Sequence, residues 1–271
     1  MSDTTTPFHS PRTVTATRYV TPLREGGSLP AVVEADDDGL YVVKFRGAGQ
    51  GVKALIAELV AGEIGRTLGL LVPEIVFIEV DTVLGRSEPD FEIQALLKAS
   101  GGLNLALDFL PGALPFDPAI PRAVDATLAA AVVWFDAYVT NVDRTPRNTN
   151  LLVWHRRLWL IDHGAALYFH HGAAAYPPGG SLKFARVADH VLLPYANASD
   201  LDAADATAHE RLTPARLAAI VATIPESWLD TSPGAASAQE QRAAYVTYLT
   251  ERLAASRAFV EEAQHARAQL V

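Results

Sequence analysis

The chain contains no cysteine and one methionine, and only 8% of it is aromatic. Without thiols there can be no disulfide, no thiolate nucleophile and no Cys-ligated zinc or iron–sulfur centre. Basic residues are in the minority: Lys and Arg number 22 against 31 Asp and Glu, a formal charge of −9. Affinity for nucleic acid rests on dense Lys and Arg, so no direct nucleic-acid binding is expected. Long apolar runs are missing as well. The longest, Leu128 to Phe135, is far shorter than a bilayer crossing requires. Met1 to Tyr19 is polar and Thr-rich, without the apolar centre of a signal peptide. A soluble, cytoplasmic protein with no membrane contact is the expectation. With 49% hydrophobic residues over 271 positions, the chain can bury a core as one large domain or two lobes.

Ala31 to Ala35 and Leu40 to Phe45 flank Asp36-Asp37-Asp38-Gly39, which predicts a hairpin. Val52 to Leu68 reads as a helix that stops at Gly69 and Pro73. Glu74 to Val80 and Phe91 to Lys98 read as strands, and Leu105 to Leu110 as a short apolar run. After Pro121 the character changes. Arg122 to Thr140 predicts a long Ala-rich helix, followed by a polar loop from Asn141 to Asn150. Short strands follow at Leu151 to Trp154 and Leu158 to Ile161. Tyr168 to Ser181, rich in Gly, Pro and His, predicts an irregular loop; Thr213 to Thr223 and Ala238 to Ala268 predict helices. The expected class is α+β, a β-rich lobe over 1–112 joined to a mainly helical lobe over 113–271.

Several polar residues stand where a bland core would not want them. Lys44 lies in a strand, on the face of Leu40 and Val42 and away from Tyr41, Val43 and Phe45. A cation there needs an anion, since burying it unpaired is costly. Glu58 in the next helix can supply one. Glu63 competes for that role, but five positions on it lies about 140° around the helix. In the polar loop, Asp143 and Asn148 have the spacing D-x-x-x-x-N, and Asp162 closes the following hairpin ahead of His163 and Gly164. A strand pair between Asn148 and Asp162 is a device for bringing them side by side. Phosphoryl transfer needs such a set: a cation on the phosphates, oxygen ligands for magnesium, and a carboxylate to orient the attacking hydroxyl.

Lys in a strand, Glu in the next helix, Asp-x-x-x-x-Asn in a loop and Asp-x-Gly after a hairpin resembles the order of protein-kinase-like folds. The wording from Thr140 to Asn148, with Leu160-Ile161-Asp162-His163-Gly164, is most similar to bacterial HipA-like kinases. Lipid kinases of the phosphoinositide class carry a similar loop. The resemblance implies a two-lobed fold using ATP and Mg2+, with a Ser/Thr hydroxyl on a protein as acceptor. It assigns the α- and β-phosphates to Lys44, its ion-pair partner to Glu58, the acceptor hydroxyl to Asp143, and the metal to Asn148 and Asp162. Asp108, Phe109 and Leu110, before Pro111-Gly112, would be the hinge whose backbone grips adenine. The sequence departs from ordinary protein kinases in three places. Asn141-Val142 replaces His-Arg, His163 replaces Phe, and the phosphate-covering loop, at best Arg24 to Ser28, has no G-x-G-x-x-G. Ser28 is an autophosphorylation candidate by family analogy only.

Other readings compete. Gly47-Ala48-Gly49-Gln50-Gly51 imitates a dinucleotide-binding turn, although its third glycine is misplaced. His155, His163, His170 and His171 near Asp162 imitate a metal cluster without helical ligand spacing. Arg144 and Arg147 read equally as phosphate contacts or as solvated charges. At the level of function, the rivals are a small-molecule phosphotransferase on the same scaffold and a non-catalytic nucleotide-binding module.

Overall fold

A computed structural model describes residues 9–23, 29–49, 51–85, 88–120, 124–171 and 183–270. The Arg24 to Ser28 segment lies outside these, as do the side chains of His170 and His171.

The first lobe is a closed barrel of β1 (Thr13–Pro22), β2 (Ala31–Ala35), β3 (Leu40–Lys44), β5 (Gly102–Asp108) and β4 (Ile75–Val80), in that order around the ring. Neighbouring strands are antiparallel except at the closing seam, where β1 runs parallel to β4. β1 begins within the segment read as merely polar, Met1 to Tyr19. Its first residues alternate, Val14 and Ala16 inward and Thr13 and Thr15 outward, the pattern of a half-buried strand. Val14, Val33, Tyr41, Val43, Val76, Ile78 and Ala106 fill the barrel.

Between β3 and β4 runs α1 (Gly51–Thr67), buried continuously from Leu55 to Gly65. A Cβ on Gly62 would sit 2.5 Å from Ile75 Cδ1, so the missing side chain lets helix and strand approach. Leu59 and Ile64 belong to the same large core as Trp134, Phe135 and Tyr138, so α1 joins the barrel to the second lobe.

One expected strand is a helix. Phe91 to Lys98 forms α2 (Phe91–Ala99), because Asp90 caps it by accepting from the Glu92 amide at 2.9 Å. Ile93 and Leu97, one turn apart, are its buried residues. The strand that follows is β5, which starts at Gly102 rather than Leu105. The glycine loop at 47–51 does not open a βαβ unit of adjacent parallel strands, since antiparallel β5 lies between β3 and β4.

The second lobe is built around α3 (Ala126–Val139), which starts behind the cap Asp125, four residues later than the sequence predicted. A small sheet packs β6 (Leu114–Pro115), β7 (Leu151–Trp154) and β8 (Arg157–Leu160) in that order. The rest is helical: α4 (Ala198–Arg211), α5 (Pro214–Ala222), α6 (Ala238–Ala254) and α7 (Arg257–Ala268). The single helix expected over Ala238 to Ala268 is thus two, broken at Ala255 and Ser256. Arg252 of α6 is buried and donates to the carbonyls of Tyr138 at 2.7 Å and Ala137 at 2.6 Å. It thereby caps the end of α3, where the chain enters the polar loop. Among the described residues, no helix is long and apolar enough to cross a membrane.

Candidate active site

Lys44 ends β3 and its side chain reaches across to Asp162, two residues past the end of β8. Its Nζ lies 2.6 Å from Asp162 Oδ1 and 3.9 Å from Glu58 Oε2. The side chains form a gradient of exposure, from Glu58 at 1% through Lys44 at 13% to Asp162 at 42%. Glu58 is therefore the sealed base of the group and Asp162 its mouth. Burial works against the charge on Lys44, but Glu58 and Asp162 outweigh it and hold the ammonium above its ordinary pKa. Burial likewise opposes ionisation of Glu58, yet Lys44 and His163 keep that carboxyl well below its usual range. The competitor Glu63 faces away and sits 3.7 Å from Arg66.

His163, met in the sequence as a possible metal ligand, is fully buried with Nδ1 3.1 Å from Glu58 Oε1. Its ring lies edge-on to Phe135 at 5.7 Å. His155 sits in the turn of the small hairpin against Trp154. Among the described residues, no cluster of three or more His, Asp or Glu could hold a metal by itself.

The polar loop carries the second group. Asp143 Oδ2 accepts from Asn148 Nδ2 at 2.7 Å and from Asn150 Nδ2 at 3.5 Å. The Asn150 carbonyl in turn accepts from the Ile161 amide at 3.1 Å, beside Asp162. The loop is thus tied to the residue that precedes the aspartate at the mouth.

Beneath it lies a network that sequence reasoning missed. Arg144, read as a phosphate contact or a solvated charge, is neither. It is 1% exposed, its Nε donates to Asp136 Oδ2, and its Nη1 donates to the Asn150 carbonyl. Asp136 of α3 is fully buried and also accepts from His190 Nε2 at 2.9 Å and Asn141 Nδ2 at 2.9 Å. Burial would raise the Asp136 pKa, but Arg144 and His190 hold it far below the carboxylate range. The signal was available: one acid in a helix of Ala, Val and aromatic residues must find a buried partner. Arg147, by contrast, is exposed.

Asp108, Phe109 and Leu110 continue β5 toward the second lobe. In the β3–β5 register Lys44 pairs with Leu105 and Tyr41 with Asp108, so β5 leads from the lysine to this segment. The Asp108 amide donates to the Glu74 carbonyl at 2.8 Å and the Phe109 amide to the Leu40 carbonyl at 2.9 Å. Those two N–H groups are spent inside the lobe. Trp154 of β7 donates to the Pro111 carbonyl at 3.0 Å and pins the crossover to the small sheet.

The family described as HipA-like kinase matches residues 17–262. The fold is similar to a crystal structure of the Helicobacter pylori proinflammatory kinase CtkA, at 14% identity and a TM-score of 0.52. That alignment covers 94% of this chain and 98% of the other. A crystal structure of the Golgi casein kinase aligns at 11% identity and a TM-score of 0.49, over 94% of this chain and 74% of that one, too loosely to bear weight. No curated protein matches the chain. At such identities the structural likeness speaks to fold alone, and that fold is the two-lobed kinase fold.

Proposed function

The chain belongs to the HipA-like kinase family, and from that premise we propose that it transfers phosphate from ATP, with Mg2+, to a Ser or Thr hydroxyl on a protein. The observation that carries the reading is the buried Lys44 amine held between Glu58 and Asp162 at the opening between the lobes. A lysine so placed keeps its charge and can exchange the Asp162 oxygen for phosphate oxygens. Glu58 remains behind it as the fixed counter-charge.

The residues fit a magnesium ion. Asn148 and Asp162 would hold it: Asn148 donates its Nδ2 to Asp143, so its Oδ1 would serve as the ligand, and Asp162 already holds a cationic group. Two hard oxygen donors suit an ion that takes its remaining ligands from water and substrate phosphates. Bound there, magnesium would neutralise charge on the transferring phosphoryl group.

Asp143 is oriented by Asn148 and Asn150 and would accept the proton of the attacking hydroxyl. Adenine would lie along the Asp108 to Leu110 crossover. Leu105, opposite Lys44, lies three positions before Asp108 along β5, a span of about 10 Å. With the first two amides spent, Leu110 is the hinge N–H we assign to the base.

The test is radiolabel transfer from γ-labelled ATP into protein extract and into a metabolite pool, for wild type and Asp143→Asn. Labelled protein in the wild-type lane alone is the expected result. Label only among metabolites would move the acceptor to a small molecule. Full activity of the variant would exclude Asp143 as the acceptor of the hydroxyl proton.

A further inference from the structure

We infer that His163 is a positioning residue, a hydrogen-bond clamp that fixes Glu58 of α1 against the Asp162 turn and so sets where the Lys44 amine stands. This deepens the phosphotransfer reading of the same site and rests on it. Asp162 adopts a left-handed backbone, φ 56°, a strained conformation for a residue with a side chain. Its carboxylate is part-exposed while the next side chain, His163, is fully buried. One turn of backbone thus aims two polar groups in opposite ways, one to the mouth and one to the base.

The direction of the inner hydrogen bond follows from its partner. A carboxylate only accepts, so His163 Nδ1 carries the proton and donates to Glu58 Oε1 across 3.1 Å. The other ring nitrogen, Nε2, is buried without a hydrogen-bond partner, and so is Glu58 Oε2, which faces Lys44 at 3.9 Å. Only one polar contact therefore anchors the imidazole. A ring kept for packing alone would be better served by Phe, which has no orphan nitrogen to bury. The four groups close a circuit: Lys44 to Glu58, Glu58 to His163, His163 through the backbone to Asp162, and Asp162 to Lys44 at 2.6 Å. Within it, the histidine stops Glu58 from following the amine when Lys44 leaves Asp162 for a phosphate.

Two substitutions separate the clamp from packing. His163→Phe keeps a ring on Phe135 and removes the donor; His163→Asn keeps a donor at the Nδ1 position and removes most of the ring. A hydrogen bond to a charged group, if fully expressed in the transition state, corresponds to a loss of about 10-fold or more in kcat. We expect that loss in His163→Phe with a smaller change in the KM for ATP. His163→Asn should return to within about threefold of wild type although it is the less stable protein. In a Glu58→Ala background, His163→Phe should lower kcat no further.

Independently of turnover, side-chain 15N NMR should show a hydrogen-bonded proton on His163 Nδ1, a signature that Glu58→Ala shifts. Wild-type kcat in His163→Phe, equal damage in both single variants, or protonation at Nε2 instead would each overturn the clamp. A wild-type chain that transfers no phosphate, with the NMR signature intact, would overturn the phosphotransfer reading beneath it.

Discussion

Asp136→Asn tests the buried network under the loop. In the wild type, this carboxylate is the common acceptor for Arg144 Nε, His190 Nε2 and Asn141 Nδ2, all shielded from water. The amide offers one oxygen, turns an NH2 toward other donors, and leaves the Arg144 guanidinium buried without a counter-charge. Removing one partner of a buried ion pair costs about 3–5 kcal/mol, a large fraction of the roughly 5–15 kcal/mol that holds a domain folded. At about 2–4 °C per kcal/mol, the thermal midpoint should drop by roughly 6–20 °C.

The loss has a pH signature. The folded-state pKa of Asp136 lies below its ordinary value, so its contribution is complete above about pH 4 and disappears as pH falls through the folded value. The gap between wild type and variant should be widest near neutrality and narrow below about pH 4. Urea unfolding at a series of pH values measures both. A difference below about 1 kcal/mol, or one that does not change with pH, would refute the account of Asp136 as ionised and indispensable.

Three further outcomes are expected. Glu58→Gln should reduce transfer in a kinase assay, whereas Glu63→Gln, remote from Lys44, should leave it near wild type. Asp90→Ala should destabilise the chain by about 1 kcal/mol in chemical denaturation, because the α2 cap is lost, without a change in catalysis. Chelating divalent cations should abolish transfer but leave the melting temperature of the nucleotide-free protein unchanged, since two protein ligands alone hold magnesium weakly.

What the sequence made legible was charge out of place. Lys44 in an apolar strand demanded an anion, Glu58 in the next helix could supply one, and the structure sets them 3.9 Å apart. The spacing from Asn148 to Asp162 implied a hairpin, and β7 and β8 supply it. Elements whose signal lay in geometry stayed hidden. β1 is held by a parallel seam to β4 that no local pattern announces. α2 begins with apolar alternation, and its cap, one residue upstream, decided the matter. Arg144 stood in a polar loop and gave no sign of burial itself; the sign lay in its partner Asp136, the lone acid within an otherwise apolar stretch of helix.

The ring of strands in the first lobe has one more consequence. An open sheet offers a row of unused main-chain groups along its rim, onto which a visiting peptide can zip as an extra strand. Here the seam of β1 with β4 takes up that rim from Thr13 to Thr15 and from Phe77 to Glu79. A visiting strand would have to part β1 from β4 to enter the ring there.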